Sequence, residues 1–172
     1  LNYVMFKTGE DFEKILEKTF KEKARIEEDV FFYRFKGSNK KYGDAQNMFY
    51  ATRYDYLRIA LAIMDDYQKQ NCVGKYLKEI YERRIPKNIN HDGDKSEPLF
   101  NRTYSYGGQF HLDYPGLKDK IVFGMGGYGG KAILINVEDS RIVILHSQHY
   151  NHKKFKYNHK KLLINPIFKG FK

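Results

Sequence analysis

The sequence is short of the residues that build disulfides and membrane spans. Its 172 residues include one cysteine, Cys72, and no tryptophan. A single cysteine cannot form an internal disulfide, so cysteine content does not fix the redox compartment. No apolar run approaches the roughly 20 residues that cross a bilayer. The chain begins Leu1-Asn2-Tyr3, without an initiator methionine or a signal-like segment, and we expect it to be a fragment of a longer protein.

Positive charge is in excess. The sequence has 31 Lys and Arg against 21 Asp and Glu, a formal net charge of +10. Such a charge favours an anionic partner such as nucleic acid, but no nucleic-acid-binding motif accompanies it. Basic and aromatic residues interleave most densely over residues 152–161, a segment that either follows a phosphate backbone or is a solvated connection. We favour the solvated surface and expect no specific nucleic-acid partner.

Helical patterns dominate the first half of the chain. Apolar residues recur at helical spacing from Phe12 to about Lys23, after a capping threonine at Thr8. Thr52 repeats the capping pattern, with Asp55 three residues later, before an apolar stripe of Leu57, Ala60, Leu61 and Met64. A third helix is predicted near residues 74–84, with Leu77, Ile80 and Tyr81 facing inward.

Strand patterns dominate the second half. Residues 104–110 alternate, residues 121–123 are short and apolar, and residues 132–137 and 141–145 are two apolar runs joined by a polar turn. The two runs predict an antiparallel hairpin in a sheet covered on both faces. A last short helix is predicted from residue 162, limited by Pro166 and Gly170. Helices followed by an antiparallel meander predict an α+β fold.

A glycine-rich run, residues 124–130, lies between a short strand and the predicted hairpin. Glycines there allow a backbone or a ligand to approach closely. The run is not a Walker loop, because no Gly-Lys-Ser/Thr follows, and it is not a dinucleotide fingerprint, because a strand rather than a helix comes next. It is either a ligand-binding strand end or a bend at the sheet edge.

Several segments resemble β-lactamase-related serine hydrolases, a family that includes class C β-lactamases, penicillin-recognising esterases and nylon-oligomer hydrolases. Residues 123–136 and 141–147 resemble the family's closing strands, in which a glycine-rich stretch opens a strand and a Val/Ile-rich strand follows. Residues 50–60 resemble its Ser/Thr-x-x-Asp helix, residues 106–110 its Tyr-Gly strand, and residues 7–12 its Thr-Gly turn. The order of the segments carries the resemblance, which covers most of the chain.

The resemblance implies the C-terminal half of a single hydrolase domain, with residues 1–172 lacking the N-terminal strands and the catalytic helix. It implies hydrolysis of an ester, amide or lactam through a serine acyl-enzyme, with the Ser-x-x-Lys nucleophile upstream and no cofactor. The family's third motif maps to Met125, Gly126 and Gly127, and the backbone N–H of Tyr128 takes the oxyanion position. Met125 replaces an ionisable side chain and cannot transfer a proton.

Three other patterns carry less weight. Lys7-Thr8-Gly9 spells the third motif but precedes a helix, and Ser38-Asn39-Lys40-Lys41 spells Ser-x-x-Lys but lies in a polar loop. His146, His149 and His152 are spaced like metal ligands, but no carboxylate or cysteine joins them. We therefore expect no catalytic residue and no metal site in this chain.

Two functions of other classes stay open. A degenerate relative that binds a cell-wall or peptide ligand without catalysis fits the replacement at Met125. A basic nucleic-acid-binding module fits the charge. The resemblance leaves the substrate and the oligomeric state open, and it favours an exported or periplasmic location.

Overall fold

The structure is a computed structural model. It describes residues 7, 9, 12–28, 31–35, 46–87, 103–117, 119–127, 131–146 and 164–169. The chain divides into two compact units, residues 1–59 and residues 60–172.

The first unit combines a helix with a two-stranded ladder. Helix α1, Phe12–Leu16, continues as a π-helix over Glu17–Lys23, so the predicted helix of residues 12–23 is confirmed. Strand β1, Phe31–Phe35, pairs antiparallel with β2, Gln46–Tyr50. The aromatic residues of both strands favour this extended conformation.

The longest helix, α2, spans Arg53–Lys69 and begins at the predicted cap. The Asp55 backbone N–H donates to Thr52 Oγ1 at 3.1 Å, and the Thr52 hydroxyl donates to Asp55 Oδ2 at 2.8 Å. These bonds satisfy groups that the first helical turn leaves unpaired. The predicted apolar stripe does not bury as a unit, because Ala60 is fully buried while Leu57 and Leu61 remain 37% and 44% exposed.

Helix α3, Cys72–Glu82, follows after a short turn and begins earlier than the sequence predicts. Asn71 caps it by accepting the Gly74 N–H at 2.9 Å. Gly74 lies against the end of α2, where a Cβ would overlap the Asp66 carbonyl. The predicted inward side of α3 is confirmed at Leu77, which is buried.

The second unit contains one six-stranded antiparallel sheet in the order β3-β4-β5-β6-β7-β8. Its strands are β3 (Ile85–Pro86), β4 (Ser105–Gly107), β5 (Phe110–Leu112), β6 (Val122–Gly127), β7 (Lys131–Asn136) and β8 (Arg141–Leu145). Strands β7 and β8 pair from Asn136↔Arg141 to Ala132↔Leu145, which confirms the predicted hairpin. The helices and this antiparallel sheet confirm the α+β class.

The sheet is covered on both faces at its centre, as predicted. Side chains alternate along a strand, so neighbouring residues of β6 face opposite sides. On one side Phe123 contacts the rings of Tyr67 in α2 and Tyr81 in α3, with centroids 5.6 and 6.2 Å apart. On the other side Leu134 belongs to a buried cluster with Tyr114 and Ile167. Each large side chain buried this fully contributes about 1.5–3 kcal/mol.

The last helix, α4, spans Asn165–Lys169 and packs against β7 and β8. The sequence predicts that Pro166 limits this helix, but Pro166 lies inside its first turn and is buried. Proline is tolerated there because the first helical N–H groups have no intrahelical partner.

Candidate functional site

The burial of strand β6 decreases along its length. Val122, Phe123 and Gly124 are buried, Met125 is half-buried, and Gly126 is exposed. Strand β7 pairs with every residue of β6, whereas β5 pairs with it at one position, His111↔Gly124. Past Gly124, therefore, the side of β6 away from β7 has no strand partner within the described residues. We call residues 125–127 the open end of β6.

The open end offers backbone groups rather than reactive side chains. Met125 stands opposite Ile133, and Gly126 stands opposite Ala132. The thioether of Met125 does not titrate, and glycine has no side chain. Gly127 stands opposite Lys131. Of the four predicted site residues, the structure brings three together here, and Tyr128 lies outside the described residues.

Gly124 is glycine because the Tyr114 hydroxyl fills its side-chain space. A Cβ at residue 124 would overlap the Tyr114 hydroxyl oxygen. Tyr114 is fully buried, and that burial raises its pKa far above the ordinary tyrosine value of 10.0. Tyr114 is therefore a neutral hydroxyl at any physiological pH, and it supports the strand just before the open end.

A second group of polar side chains lies just past β3, just before β4 and on β5. Lys87 follows β3, and its Nζ lies 3.0 Å from His111 Nδ1 and also contacts Thr103 Oγ1. The Lys87 Nζ is 5.8 Å from the centroid of the Tyr106 ring, which packs edge-on against His111 at 5.1 Å. We call Lys87, Thr103 and His111 the lysine–histidine cluster.

Sequence patterns alone do not reveal this cluster. Its three members are separated by 16 and 8 residues, and no short motif predicts their contact. They meet because the β4–β5 hairpin folds His111 back beside the residue that follows β3. Once the hairpin is assigned, a histidine on β5 and a lysine just past β3, with β4 between them, are the signal that could find it.

A third group pairs opposite charges. Arg84 Nε donates to Asp113 Oδ2 at 2.6 Å, the Ser105 hydroxyl donates to the same oxygen, and the Arg84 guanidinium stacks 4.2 Å from the Tyr81 ring centroid. The hydrogen bond to Asp113 raises the pKa of Arg84 further. We call Arg84, Ser105 and Asp113 the arginine–aspartate cluster. It ties the hairpin to the end of α3.

The start of α2 holds a buried carboxylate with a structural role. Burial alone raises the pKa of Asp55, but the Glu27 N–H at 3.0 Å and the Thr52 hydroxyl outweigh that effect, so the pKa is lowered. Arg58 adds an ion pair at 3.1 Å and also contacts the Glu27 carboxylate. These bonds satisfy the carboxylate within the first unit, so Asp55 fixes the helix start.

Most of the other residues that the sequence suggests as site candidates lie outside the described residues. This is true of Thr8, of residues 38–41, of His149 and His152, and of the basic segment 152–161. Within the part of the chain that the structure describes, no three His, Cys, Asp or Glu side chains group as metal ligands. No helix in that part is long and apolar enough to cross a bilayer.

Comparison of the chain with protein-family models, with curated proteins and with solved structures finds no match in any of the three.

Proposed function

We propose that this chain supplies the substrate-binding part of a serine hydrolase related to the β-lactamases. The open end of β6 is the strand along which an ester, amide or lactam aligns its carbonyl group. The observation that carries the proposal is the register of β6, which keeps β7 on one side to the last residue but loses β5 after Gly124.

The chemistry of an open strand edge fits that role. In an antiparallel sheet, each residue directs its N–H and C=O to the same side of the strand, and the next residue directs both to the other side. At least one of Met125, Gly126 and Gly127 therefore points its N–H and C=O away from β7. An extended amide can pair with such an edge, and a backbone N–H can stabilise a developing oxyanion.

The side chains of the open end favour binding over proton transfer. Met125 occupies the position where the resembled family carries a lysine or histidine, and it can neither donate nor accept a proton. Nucleophile and general base are then supplied by residues outside this chain. A non-catalytic ligand-binding relative is the second candidate, and the same observation at Met125 favours it.

Paired substitutions at two glycines test the proposal. We would measure binding of benzylpenicillin, 4-nitrophenyl butyrate and the linear dimer of 6-aminohexanoate to the purified chain and four variants. Gly126→Pro and Gly127→Pro each remove one backbone N–H, and Gly126→Ala and Gly127→Ala keep it. Because neighbouring residues point to opposite sides, we expect one proline variant to lose binding while both alanine variants retain it.

Two results would contradict the proposal. One is binding by both proline variants at the affinity of the natural sequence. The other is equal loss of binding in all four variants. We also expect the chain alone to show no turnover of the ester, and turnover abolished by Ser38→Ala would identify a nucleophile that the proposal denies.

A further inference from the structure

Strand β8 lies at one edge of the six-stranded sheet. Strand β7 pairs with it on one side, and within the described residues no strand pairs with it on the other. The strand spans Arg141–Leu145 and contains neither proline nor glycine, and its only charged residue is the first. The N–H and C=O groups along such an edge can pair with a further strand.

The hydrogen bonds of β7 fix which residues of β8 face outward. The Val137 N–H donates to the Ile121 carbonyl at 3.3 Å, so Val137 faces β6. Backbone groups alternate sides along a strand, so Asn136 and every second residue before it face β8. Their partners in the ladder are Arg141, Val143 and Leu145. Ile142 and Ile144 therefore direct their N–H and C=O groups to the outer side of the sheet.

The two outward residues also carry apolar side chains. Ile142 stands opposite Ile135 in the ladder, and Ile144 stands opposite Ile133. Residues that stand opposite each other share a face of the sheet, so the four isoleucines form one apolar band. The two on β7 are buried, and the two on β8 are half-buried. The band therefore reaches the edge of the sheet without being fully covered.

The other edge of the described sheet is built differently. Strand β3 has two residues, Ile85 and Pro86. The Lys87 N–H donates to the Tyr104 carbonyl at 2.8 Å, so Lys87 faces β4 and Pro86 faces outward. Proline has no N–H to offer, and a short strand with an outward proline resists pairing with another chain. The sheet thus has one edge that resists a new strand and one edge that can accept it.

We propose that the outer side of β8 pairs with β8 of a second copy of this chain, antiparallel and centred on Val143. This register places Ile142 opposite Ile144 of the second copy, and Ile144 opposite Ile142 of the second copy. Every outward N–H and C=O of these residues then has a partner, and the apolar bands of the two copies join. The same surface of both copies is used, so the contact closes as a two-fold symmetric dimer.

This register also limits the repulsion between two basic chains. Each copy carries a formal net charge of +10, which opposes association. Arg141 stands opposite Leu145 of the second copy, so the two Arg141 residues lie about 13 Å apart along the strands. That separation exceeds the Debye length of about 8 Å at physiological salt. Added salt should therefore strengthen the dimer. The proposal stands independently of the hydrolase function, because β7 separates β8 from the open end of β6.

Analytical ultracentrifugation of the natural chain measures the association. We expect a species of 20.5 kDa when the chain is dilute and a species of twice that mass as the concentration rises. The dissociation constant should fall as salt is added. A chain that stays monomeric at high concentration and high salt would overturn the proposal.

Amide hydrogen exchange locates the contact without any substitution. The Val143 amide faces β7 and should be protected at every concentration. The Ile142 and Ile144 amides should become protected only where the dimer forms. Their protection in the dilute monomer would mean that a segment of the same chain covers the edge. Their fast exchange in the dimer would mean that another surface associates, and either result overturns the proposal.

Two substitutions at Ile144 form a matched pair. Ile144→Pro removes the outward N–H, whereas Ile144→Ala keeps it, and both remove the isoleucine side chain. Because that N–H faces away from β7, the proline breaks no bond of the β7–β8 ladder. Circular dichroism checks that both variants fold, and hydrogen exchange of the natural chain decides the matter if the proline variant does not. We expect a dissociation constant about tenfold or more higher for the proline variant than for the alanine variant. Equal dissociation constants in two folded variants would contradict pairing through β8.

Discussion

The arginine–aspartate cluster and the lysine–histidine cluster occupy the same hairpin but differ in the charges that they bring together. In the first, the Arg84 guanidinium meets the Asp113 carboxylate at 2.6 Å. In the second, the Lys87 amine meets the His111 imidazole at 3.0 Å. Ser105 and His111 lie at neighbouring ladder positions of β4 and β5, so strand alternation directs them to opposite faces.

The difference shows that the two faces of one hairpin bring together side chains of different chemistry. Opposite charges in contact attract each other, so the arginine–aspartate cluster ties the hairpin to the end of α3. The lysine–histidine cluster instead brings two nitrogen bases into contact.

The largest effect should come from breaking the arginine–aspartate cluster. Asp113→Asn keeps the size of the side chain and tolerates the positive φ of 55° at this residue, but it removes the negative charge that pairs with Arg84. We expect a loss of about 2 kcal/mol in the free energy of unfolding, less than for a fully buried pair, because the Arg84 side chain is 29% exposed. Urea denaturation measures it. The exposed Asp119→Asn is the matched control, and an equal effect in both variants would show that the cluster does not stabilise the hairpin.

A smaller and opposite effect is expected from Lys87→Met. The folded chain lowers the pKa of Lys87, so the unfolded chain binds more protons as the pH approaches 10.5. Stability should therefore rise with pH through the window below that value. The variant should lose this rise and be slightly more stable than the natural sequence near neutral pH, because it no longer carries the desolvated ammonium. Thermal unfolding over that range measures both, and an unchanged pH dependence in Lys87→Met would refute this linkage.

The smallest effect concerns nucleic acid. Acidic residues are interspersed among the basic ones throughout the sequence, so we expect weak binding that vanishes near physiological salt. Lys87→Met and Phe155→Ala should leave this weak binding unchanged. A salt titration by fluorescence anisotropy measures it. Tight binding at high salt that falls in either variant would make the nucleic-acid module the leading function.

Local patterns predict the β7–β8 hairpin and the cap of α2, because each depends on a few consecutive residues. The two apolar runs and their polar turn suffice for the hairpin, and Thr52 with Asp55 suffices for the cap. The prediction of a buried apolar stripe on α2 fails at Leu57 and Leu61. Their exposure depends on which other elements pack against the helix, and local patterns do not show this. The prediction that Pro166 limits the last helix is wrong, because the sequence does not distinguish a proline in a first turn from a proline that ends a helix.

The candidate site likewise has features that local patterns predict and features that depend on tertiary structure. The glycine-rich run of residues 124–130 indicates the position of the open end, because a dense run of glycines is visible in the sequence itself. The loss of β5 after Gly124 depends on the pairing register, which the sequence does not specify. The contact of Lys87 with His111 depends on three strands meeting in order. Spacing along the chain carries no signal for either feature.

Amide hydrogen exchange along β6, with and without saturating benzylpenicillin, tests the central claim most directly. Without ligand, we expect the amides paired to β7 to be protected, while those of Met125, Gly126 and Gly127 that point away from β7 exchange fast. With ligand, these fast amides should become protected while those of Val122–Gly124 stay unchanged. Amides at the open end that are already protected in the free chain, or that stay fast while benzylpenicillin is bound, would contradict the account.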